Sequence, residues 1–122
     1  MAKVIHFEIP VDNPERAVRF YQAVFGWKIE KWQGPTDYWL ATTGADTERG
    51  INGALTHRQA GFESTVNTLE VPSVDDLTAK VVAGGGSIVM EKSAIPGIGY
   101  LAYCRDTEGN LFGMMQNDPN AQ

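Results

Sequence analysis

The sequence has very little cysteine, no surplus of basic residues and no long apolar run. Its one cysteine, Cys104, excludes an internal disulfide framework and suits a reducing compartment. Acidic residues outnumber basic ones by 15 to 10, so the chain lacks the basic surface with which proteins bind nucleic acid. No apolar stretch could span a bilayer, and no signal-peptide core precedes the strand-like run at Val4. These absences predict a cytoplasmic protein that binds neither nucleic acid nor membrane.

The chain does contain enough apolar sequence for one compact domain. It has 122 residues, of which 43% are hydrophobic, and a chain of this length buries about two thirds of its unfolded surface. An internal repeat is visible, because a shift of 60 residues aligns Val11 with Val71 and, further along, Gly53 with Gly113. Cap residues, apolar positions and helix-ending glycines match at this shift without a gap. We therefore expect a single domain over residues 1–122, with module one at about 3–58 and module two at about 63–117.

Each copy of the repeat has the pattern strand, helix, strand, strand, strand. Residues 4–11 alternate between apolar and other side chains, as in a strand with one face on a core. Asn13 is a good N-cap, and apolar residues recur at helical spacing from there to Gly26. In the second copy Ser73 and Asp76 form a capping box. The other predicted strands are residues 27–32, 38–43, 51–57, 65–71, 87–91, 100–104 and 111–116, with a loop at 93–99.

Segments at both ends of the chain resemble a known superfamily. Residues 6–11 (HFEIPV), 13–16 (NPER) and 25–27 (FGW) resemble the opening of the vicinal oxygen chelate superfamily, which comprises glyoxalases, bleomycin-resistance proteins and extradiol dioxygenases. Residues 98–112 resemble its closing hairpin, although Thr107 stands where proline is usual. The resemblance implies an α+β fold of two tandem βαβββ modules. These would be related by pseudo-two-fold symmetry, form a curved sheet around a cleft, and assemble as a homodimer.

The same resemblance implies where a metal would bind, and the sequence has almost none of the ligands. Metal-dependent members carry ligands on the first and last strands of each module. The repeat assigns these positions to His6, Val66, Gly53 and Gly113, so one imidazole is the only donor among them. A divalent ion needs several nitrogen or oxygen ligands that converge on one point. We therefore expect no metal site and no cofactor.

The functional interpretation that remains is a small-molecule site. If His6 faces the cleft, strand alternation places Glu8 beside it, with Thr68 and Glu70 at the same positions of module two. The aromatic side chains expected to wall the cleft are Trp32, Trp39, Tyr100 and Tyr103. Aromatic walls with a few polar groups are the usual form of a small-molecule site. The predicted ligand contacts are His6, Glu8, Trp39, Thr68, Glu70, Tyr100 and Tyr103.

Two classes of function are compatible with such a site. The first is a protein that sequesters a small molecule, and an acidic cleft favours a cationic or amphipathic ligand. The second is an enzyme of the same superfamily, either a glyoxalase-like lyase or isomerase or a dioxygenase-like protein. It would work without metal, with His6 and Glu8 as acid and base, or with metal ligands that the sequence does not reveal. A structural role for His6, and a core or dimer-interface role for the tryptophans, stay open as alternatives.

Overall fold

The computed structural model describes all residues from Met1 to Gln122, and they divide into two compact units. The first unit comprises residues 6–66, and the second comprises residues 1–5 and 67–122. The elements along the chain are β1 (Val4–Val11), α1 (Pro14–Phe25), β2 (Lys28–Lys31), β3 (Tyr38–Thr42), β4 (Gly53–His57), β5 (Val66–Glu70), α2 (Val74–Ala83), β6 (Ser87–Ile95), β7 (Gly99–Arg105) and β8 (Leu111–Asn117). This order confirms the two successive βαβββ modules. Neither helix is long and apolar enough to cross a membrane.

Both helices begin at the predicted cap residues. The side chain of Asn13 accepts a hydrogen bond from the Arg16 N–H at 3.0 Å, and Ser73 Oγ accepts one from the Asp76 N–H at 3.2 Å. These bonds satisfy backbone donors that the first turn of a helix leaves unpaired. Gly26 ends α1 with φ at 72°, a left-handed conformation that glycine adopts without steric cost.

The sheet of the first unit has the order β2-β3-β4-β1, with β1 and β4 parallel and the other neighbours antiparallel. One face packs beneath α1, and we call it the helix-side face. Its core consists of Val11, Ile29, Trp39, Ala41 and Leu55, with Ile9, Ala17, Val18, Tyr21 and Trp27 packed against them. The opposite face, called the far face, carries the alternate residues of each strand. It includes His6, Glu8, Tyr38, Leu40 and Ala54.

The sheet of the second unit repeats this plan in the order β5-β8-β7-β6, with β5 and β8 parallel. Its core beneath α2 consists of Val71, Val74, Ala102, Cys104 and Met114. The first residues of the chain belong to this unit, because the Lys3 carbonyl accepts a hydrogen bond from the Glu70 N–H at 2.8 Å. The second unit is therefore built from two separate parts of the sequence.

The strand β6 is longer than predicted. The sequence predicts a strand over residues 87–91 and a loop over 93–99, whereas β6 continues to Ile95 and ends before Pro96. Its register against β7 shifts twice, so bulges preserve the pairing where side-chain alternation fails. The turn between β7 and β8 matches the prediction, since Gly109 has φ at 83°.

The ungapped shift of 60 residues fails at the last strand of each module, and this corrects one prediction. In the first unit Glu8 lies opposite Ala54, whereas in the second Thr68 lies opposite Gly113. Because Glu8 and Thr68 correspond, Gly113 corresponds to Ala54 and not to Gly53. A slip of one residue turns a side chain to the other face of a sheet. Gly53 therefore lies on the helix-side face, and assigning it to the metal-ligand position of module one was wrong.

Candidate functional site

Polar side chains of β1 lie on the far face of the first unit. Ile9 and Val11 contribute to the core beneath α1, so strand alternation directs His6 and Glu8 to the opposite side. Glu8 is only 8% exposed, and His6 is half-buried. A buried carboxylate is costly unless hydrogen bonds satisfy it. Glu8 therefore requires a hydrogen-bond partner on this face.

Tyr38 connects the two polar residues. It starts β3 opposite Thr56 of β4, and β4 in turn lies next to β1, so its phenol must extend across β4 to reach the first strand. Its hydroxyl oxygen lies 2.6 Å from Nε2 of His6, and the two rings are stacked with centroids 6.2 Å apart. Tyr38 also hydrogen-bonds the Glu8 carboxylate. Ala54, fully buried between these strands, has a side chain small enough to leave room for the crossing.

The protonation of Tyr38 follows from this environment. Burial raises the pKa of the Tyr38 hydroxyl far above its usual value of 10.0, and the negative charge of Glu8 and the hydrogen bond to it raise that pKa further. The phenol therefore stays protonated at physiological pH. Its one hydrogen is donated to Glu8, because the carboxylate whose negative charge raises this pKa can only accept a hydrogen bond.

The direction of the second hydrogen bond is then determined. Burial lowers the pKa of His6 below 6.5, so the imidazole is neutral at neutral pH. Since the Tyr38 hydrogen is already donated to Glu8, the Tyr38 oxygen must accept from Nε2–H of His6. A neutral imidazole carries one N–H, so Nδ1 of His6 is left with a free lone pair. The three side chains form a row of hydrogen bonds, called the polar chain, in which His6 donates to Tyr38 and Tyr38 donates to Glu8.

Trp32 lies beside Tyr38 on the same face. Its ring meets Tyr38 edge to face, with centroids 6.3 Å apart and planes at 75°. The indole lies over Gly34, where an added Cβ would overlap its ring atoms. Aromatic pairs in this geometry attract each other beyond their buried area. Trp32 therefore borders the polar chain on the far face, and its role as a wall of a ligand cleft stays a prediction.

Trp39 lies on the other side of the sheet. It is 9% exposed in the core beneath α1, with His57 edge-on at 5.3 Å and Lys31 above its ring at 5.6 Å. The structure therefore does not bring Trp39 together with His6 and Glu8. The side chain is a core residue, which agrees with the alternative left open for the tryptophans.

The predicted contacts of the second unit divide between its two faces. Thr68 and Tyr103 are buried around Gly113, whose added Cβ would lie 2.8 Å from Thr68 Oγ1 and 3.2 Å from the Tyr103 ring. Glu70 lies on the same face and accepts a hydrogen bond from the Asn117 side chain at 2.6 Å. Ligand binding by these three residues stays a prediction.

Tyr100 is turned to the opposite face of the second unit. It packs against the core beneath α2, and the Lys92 ammonium lies 5.0 Å from its ring centroid while pairing with Asp75 at 2.9 Å. It is therefore not brought together with Thr68 and Tyr103.

Sequence reasoning missed Tyr38, which holds the site together. The sequence of β3 gives no clear signal for its orientation, because Trp39 and Ala41 on one face and Leu40 on the other are all apolar. What the sequence does not show is that β3 lies two strands away from β1, within reach of a tyrosine.

The residues of the site do not fit a catalytic divalent ion. No group of three histidine, cysteine, aspartate or glutamate side chains is placed to hold one. The positions that would have to supply further ligands carry the hydrocarbon side chains of Ala54 and Val66 and no side chain at Gly113. The chemistry available on the far face is that of an imidazole, a phenol and a carboxylate.

The family of the chain follows from comparison with known proteins. The family model of the Glyoxalase/Bleomycin resistance protein/Dioxygenase superfamily matches residues 3–114. The chain belongs to this superfamily. Its membership confirms the resemblance seen in the terminal segments and the fold of paired βαβββ modules.

Two curated relatives are similar to this chain over part of their length. The chain is 28% identical over 115 residues to "Putative glyoxylase CFP32" of Mycobacterium bovis, and the match covers 92% of the chain and 43% of that protein. The protein of the same name from Mycobacterium tuberculosis matches equally well. The chain therefore spans less than half the length of these relatives.

Solved structures with this superfamily fold superpose over almost the whole chain. One is a methylmalonyl-CoA epimerase in complex with methylmalonyl-CoA and NH4+, with a TM-score of 0.72, 13% identity, and coverage of 100% of this chain and 99% of the other. Another is the hypothetical protein BH1468 from Bacillus halodurans C-125, with a TM-score of 0.73, 16% identity, and coverage of 99% and 98%. At these identities the similarity shows the fold alone.

Proposed function

We propose that this superfamily member binds a small molecule on the far face of its first unit, at His6, Tyr38 and Glu8. The observation that supports this most strongly is the buried chain of hydrogen bonds from His6 to Glu8. Burying an imidazole, a phenol and a carboxylate in a small domain costs desolvation free energy that apolar residues would avoid. Such groups beside an aromatic wall, here Trp32, are the combination that small-molecule sites use for orientation and specificity.

A thermal-shift screen tests the proposal. The wild-type chain, His6→Ala and Tyr38→Phe are heated with a panel of metabolites and antibiotics, and a ligand is recognised by the rise in Tm that it causes. We expect at least one compound to stabilise the wild type and to lose that effect in both variants. Tyr21→Phe is the matched control, because Tyr21 stacks on Trp27 on the helix side. Ligand responses that survive unchanged in His6→Ala and Tyr38→Phe would place the site elsewhere.

A metal-free enzyme is the second candidate, and the protonation of His6 favours it. A neutral imidazole with a free lone pair on Nδ1 can remove a proton, and the bond to Tyr38 holds its ring in place. The reaction class would be proton transfer next to a carbonyl group, as in a lyase or isomerase. Incubation of candidate carbonyl compounds in deuterated water tests it, because catalysed exchange of the acidic C–H is followed by NMR. Exchange that is equally fast with His6→Ala would rule out catalysis by this residue.

We also propose that the chain acts as one domain over residues 1–122 in a cytoplasmic homodimer. Apolar side chains of α1 support the dimer, since Phe20, Val24 and Phe25 are 53%, 56% and 61% exposed and helix faces of this kind attract partners. The buried free thiol of Cys104 suits a reducing compartment. Sedimentation at micromolar concentration is expected to give twice the 13.4 kDa chain mass. A monomer under these conditions would contradict the dimer.

A further inference from the structure

The acceptor side of His6 is exposed to a ligand. Nε2 is bonded to Tyr38, and Nδ1 makes no hydrogen bond within the protein. No buried side-chain nitrogen or oxygen lacks a partner, so Nδ1 must lie at the solvent-accessible surface. Because the imidazole is neutral with its proton on Nε2, a ligand meets a lone pair at this atom and no N–H.

Glu8 places negative charge beside His6 on the far face. Glu8 is buried beside the Tyr38 hydroxyl, and its negative charge contributes to the raised pKa of that phenol. The two lysines of β2 in the same unit are engaged elsewhere. Lys28 pairs with Glu30 at 3.5 Å on the exposed edge strand, and Lys31 lies over the core residue Trp39. A carboxylate ligand would therefore meet a lone pair and a negative charge, whereas an ammonium group would be attracted by both.

The remaining surface beside the polar chain is aromatic and apolar. Trp32 and Tyr38 present their rings at 75° to each other, and Leu40 on the same face is 42% exposed. Aromatic faces also attract cations directly, with a preference for tryptophan and tyrosine. The surface thus offers an apolar contact and a cation-binding contact within one patch.

From these features we infer that the far face selects a protonated amine on an apolar body, and that Nδ1 of His6 accepts its N–H. This inference rests on the proposed binding function and narrows it to a ligand class. The acceptor at His6 excludes ligands without a donor, and Glu8 discriminates an ammonium from an anion of equal size. Trp32, Tyr38 and Leu40 contact the body of the ligand.

Three probes with one skeleton test the inference by calorimetry on the full chain. Phenethylamine, phenethyl alcohol and hydrocinnamate share a phenyl ring on a two-carbon linker and differ in carrying an ammonium, a hydroxyl or a carboxylate. We expect the amine to bind most tightly, the alcohol more weakly, and the acid least. This order is measured on the wild-type chain, so it does not depend on any variant folding. An acid that binds most tightly, or an amine with no detectable binding at millimolar concentration, would overturn the ligand class.

Variants of the chain test the chemical class of the ligand and the location of the site independently. Glu8→Gln keeps the shape of the side chain and removes its charge, so it should weaken the amine about tenfold and leave the alcohol nearly unchanged. Glu30→Gln is the matched control, because Glu30 is an exposed carboxylate at the edge of the same face, and it should change neither. If hydrocinnamate binds best and His6→Ala abolishes its binding, the site is correct and the ligand class is wrong. If no probe's binding depends on His6 or Tyr38, the proposed function is wrong as well.

Discussion

Leu40 and Leu55 lie on neighbouring strands of the first unit but on opposite faces of its sheet. Leu55 is fully buried beneath α1, whereas Leu40 is 42% exposed on the far face. The pairing of β3 with β4 places Leu40 opposite Ala54 and Trp39 opposite Leu55, so each leucine represents one face. The two residues have the same chemistry, and they differ only in what surrounds them.

Substitution of the two leucines should therefore have unequal effects. We expect Leu55→Ala to lower the free energy of unfolding by about 2 to 5 kcal/mol, because it leaves a cavity in a packed core. Leu40→Ala should cost less than about 1 kcal/mol, since solvent can fill the space. Urea denaturation of both variants provides the measurement. Equal losses would mean that the far face is as tightly packed as the helix side.

Removal of one hydroxyl tests the polar chain. Tyr38→Phe deprives the buried Glu8 carboxylate of a donor and His6 of an acceptor, so we expect a loss of about 1 to 3 kcal/mol in the free energy of unfolding. Tyr21→Phe removes the same atom from a ring that stacks on Trp27 with centroids 4.7 Å apart, and it should cost less than about 0.5 kcal/mol. Denaturation curves that coincide for the two variants would argue against a hydrogen-bonded Tyr38.

The stability of the protein should depend on the protonation of His6. Burial lowers the pKa of His6 in the folded chain, so the unfolded chain takes up the proton first as the pH falls. The unfolded state then binds more protons than the folded one, and stability decreases as the pH drops through 6.5 and on towards the lower folded pKa. Unfolding free energies of wild type and His6→Gln, measured from neutral to mildly acidic pH, should diverge in this range.

His57 provides the control for this pH dependence. It is 51% exposed and pairs with Asp37 at 3.2 Å at the surface, where ion pairs contribute little to stability. The free energy of unfolding of His57→Gln should therefore fall with decreasing pH as steeply as that of the wild type. That of His6→Gln should fall less steeply. If the pH dependence of the unfolding free energy is instead weaker in His57→Gln, the surface pair of His57 and Asp37 is its cause.

A glycine substitution tests the register of β4. An added Cβ on Gly53 would lie 2.5 Å from two carbons of the Phe7 ring and from the Phe7 carbonyl oxygen, so Gly53→Ala should cost about 1 to 3 kcal/mol by overpacking. At Gly44 the nearest atom is the terminal Glu48 carboxylate at 3.0 Å, which can move aside, and Gly44→Ala should be nearly neutral. Tolerance of Gly53→Ala would favour the ungapped repeat over the register that the strands adopt.

The helices could be predicted because their signals are local. Asn13 and Ser73 lie three residues from the backbone donors that they cap, and Gly26 ends α1 by its own conformational freedom. Strand alternation likewise placed His6 and Glu8 on the face away from α1. The family followed from short segments whose spacing is kept along most of the chain. These properties depend on neighbours in sequence.

The site could be predicted only in part, because its third member depends on strand order. Tyr38 and His6 are 32 positions apart, and no local pattern shows that β4 lies between their strands. The aromatic pair Tyr38 and Trp39 also leaves the orientation of β3 ambiguous until its register is known. The ungapped repeat then misplaced Gly53 by a single residue, which reverses the face to which a position belongs.

The backbone hydrogen bond between Lys3 and Glu70 means that the start of the second sequence repeat does not coincide with the start of the second folded unit. Residues 6–66 are covalently an insertion between two parts of the second unit. A fragment that begins near residue 63 would lack residues 1–5 and would leave backbone groups of β5 without a neighbour, which invites pairing with other chains. A single proteolytic cut near residue 60 would likewise leave the first product carrying a segment that belongs to the second. The halves of this protein can be recognised as copies, but cleavage of one peptide bond does not make them independent proteins.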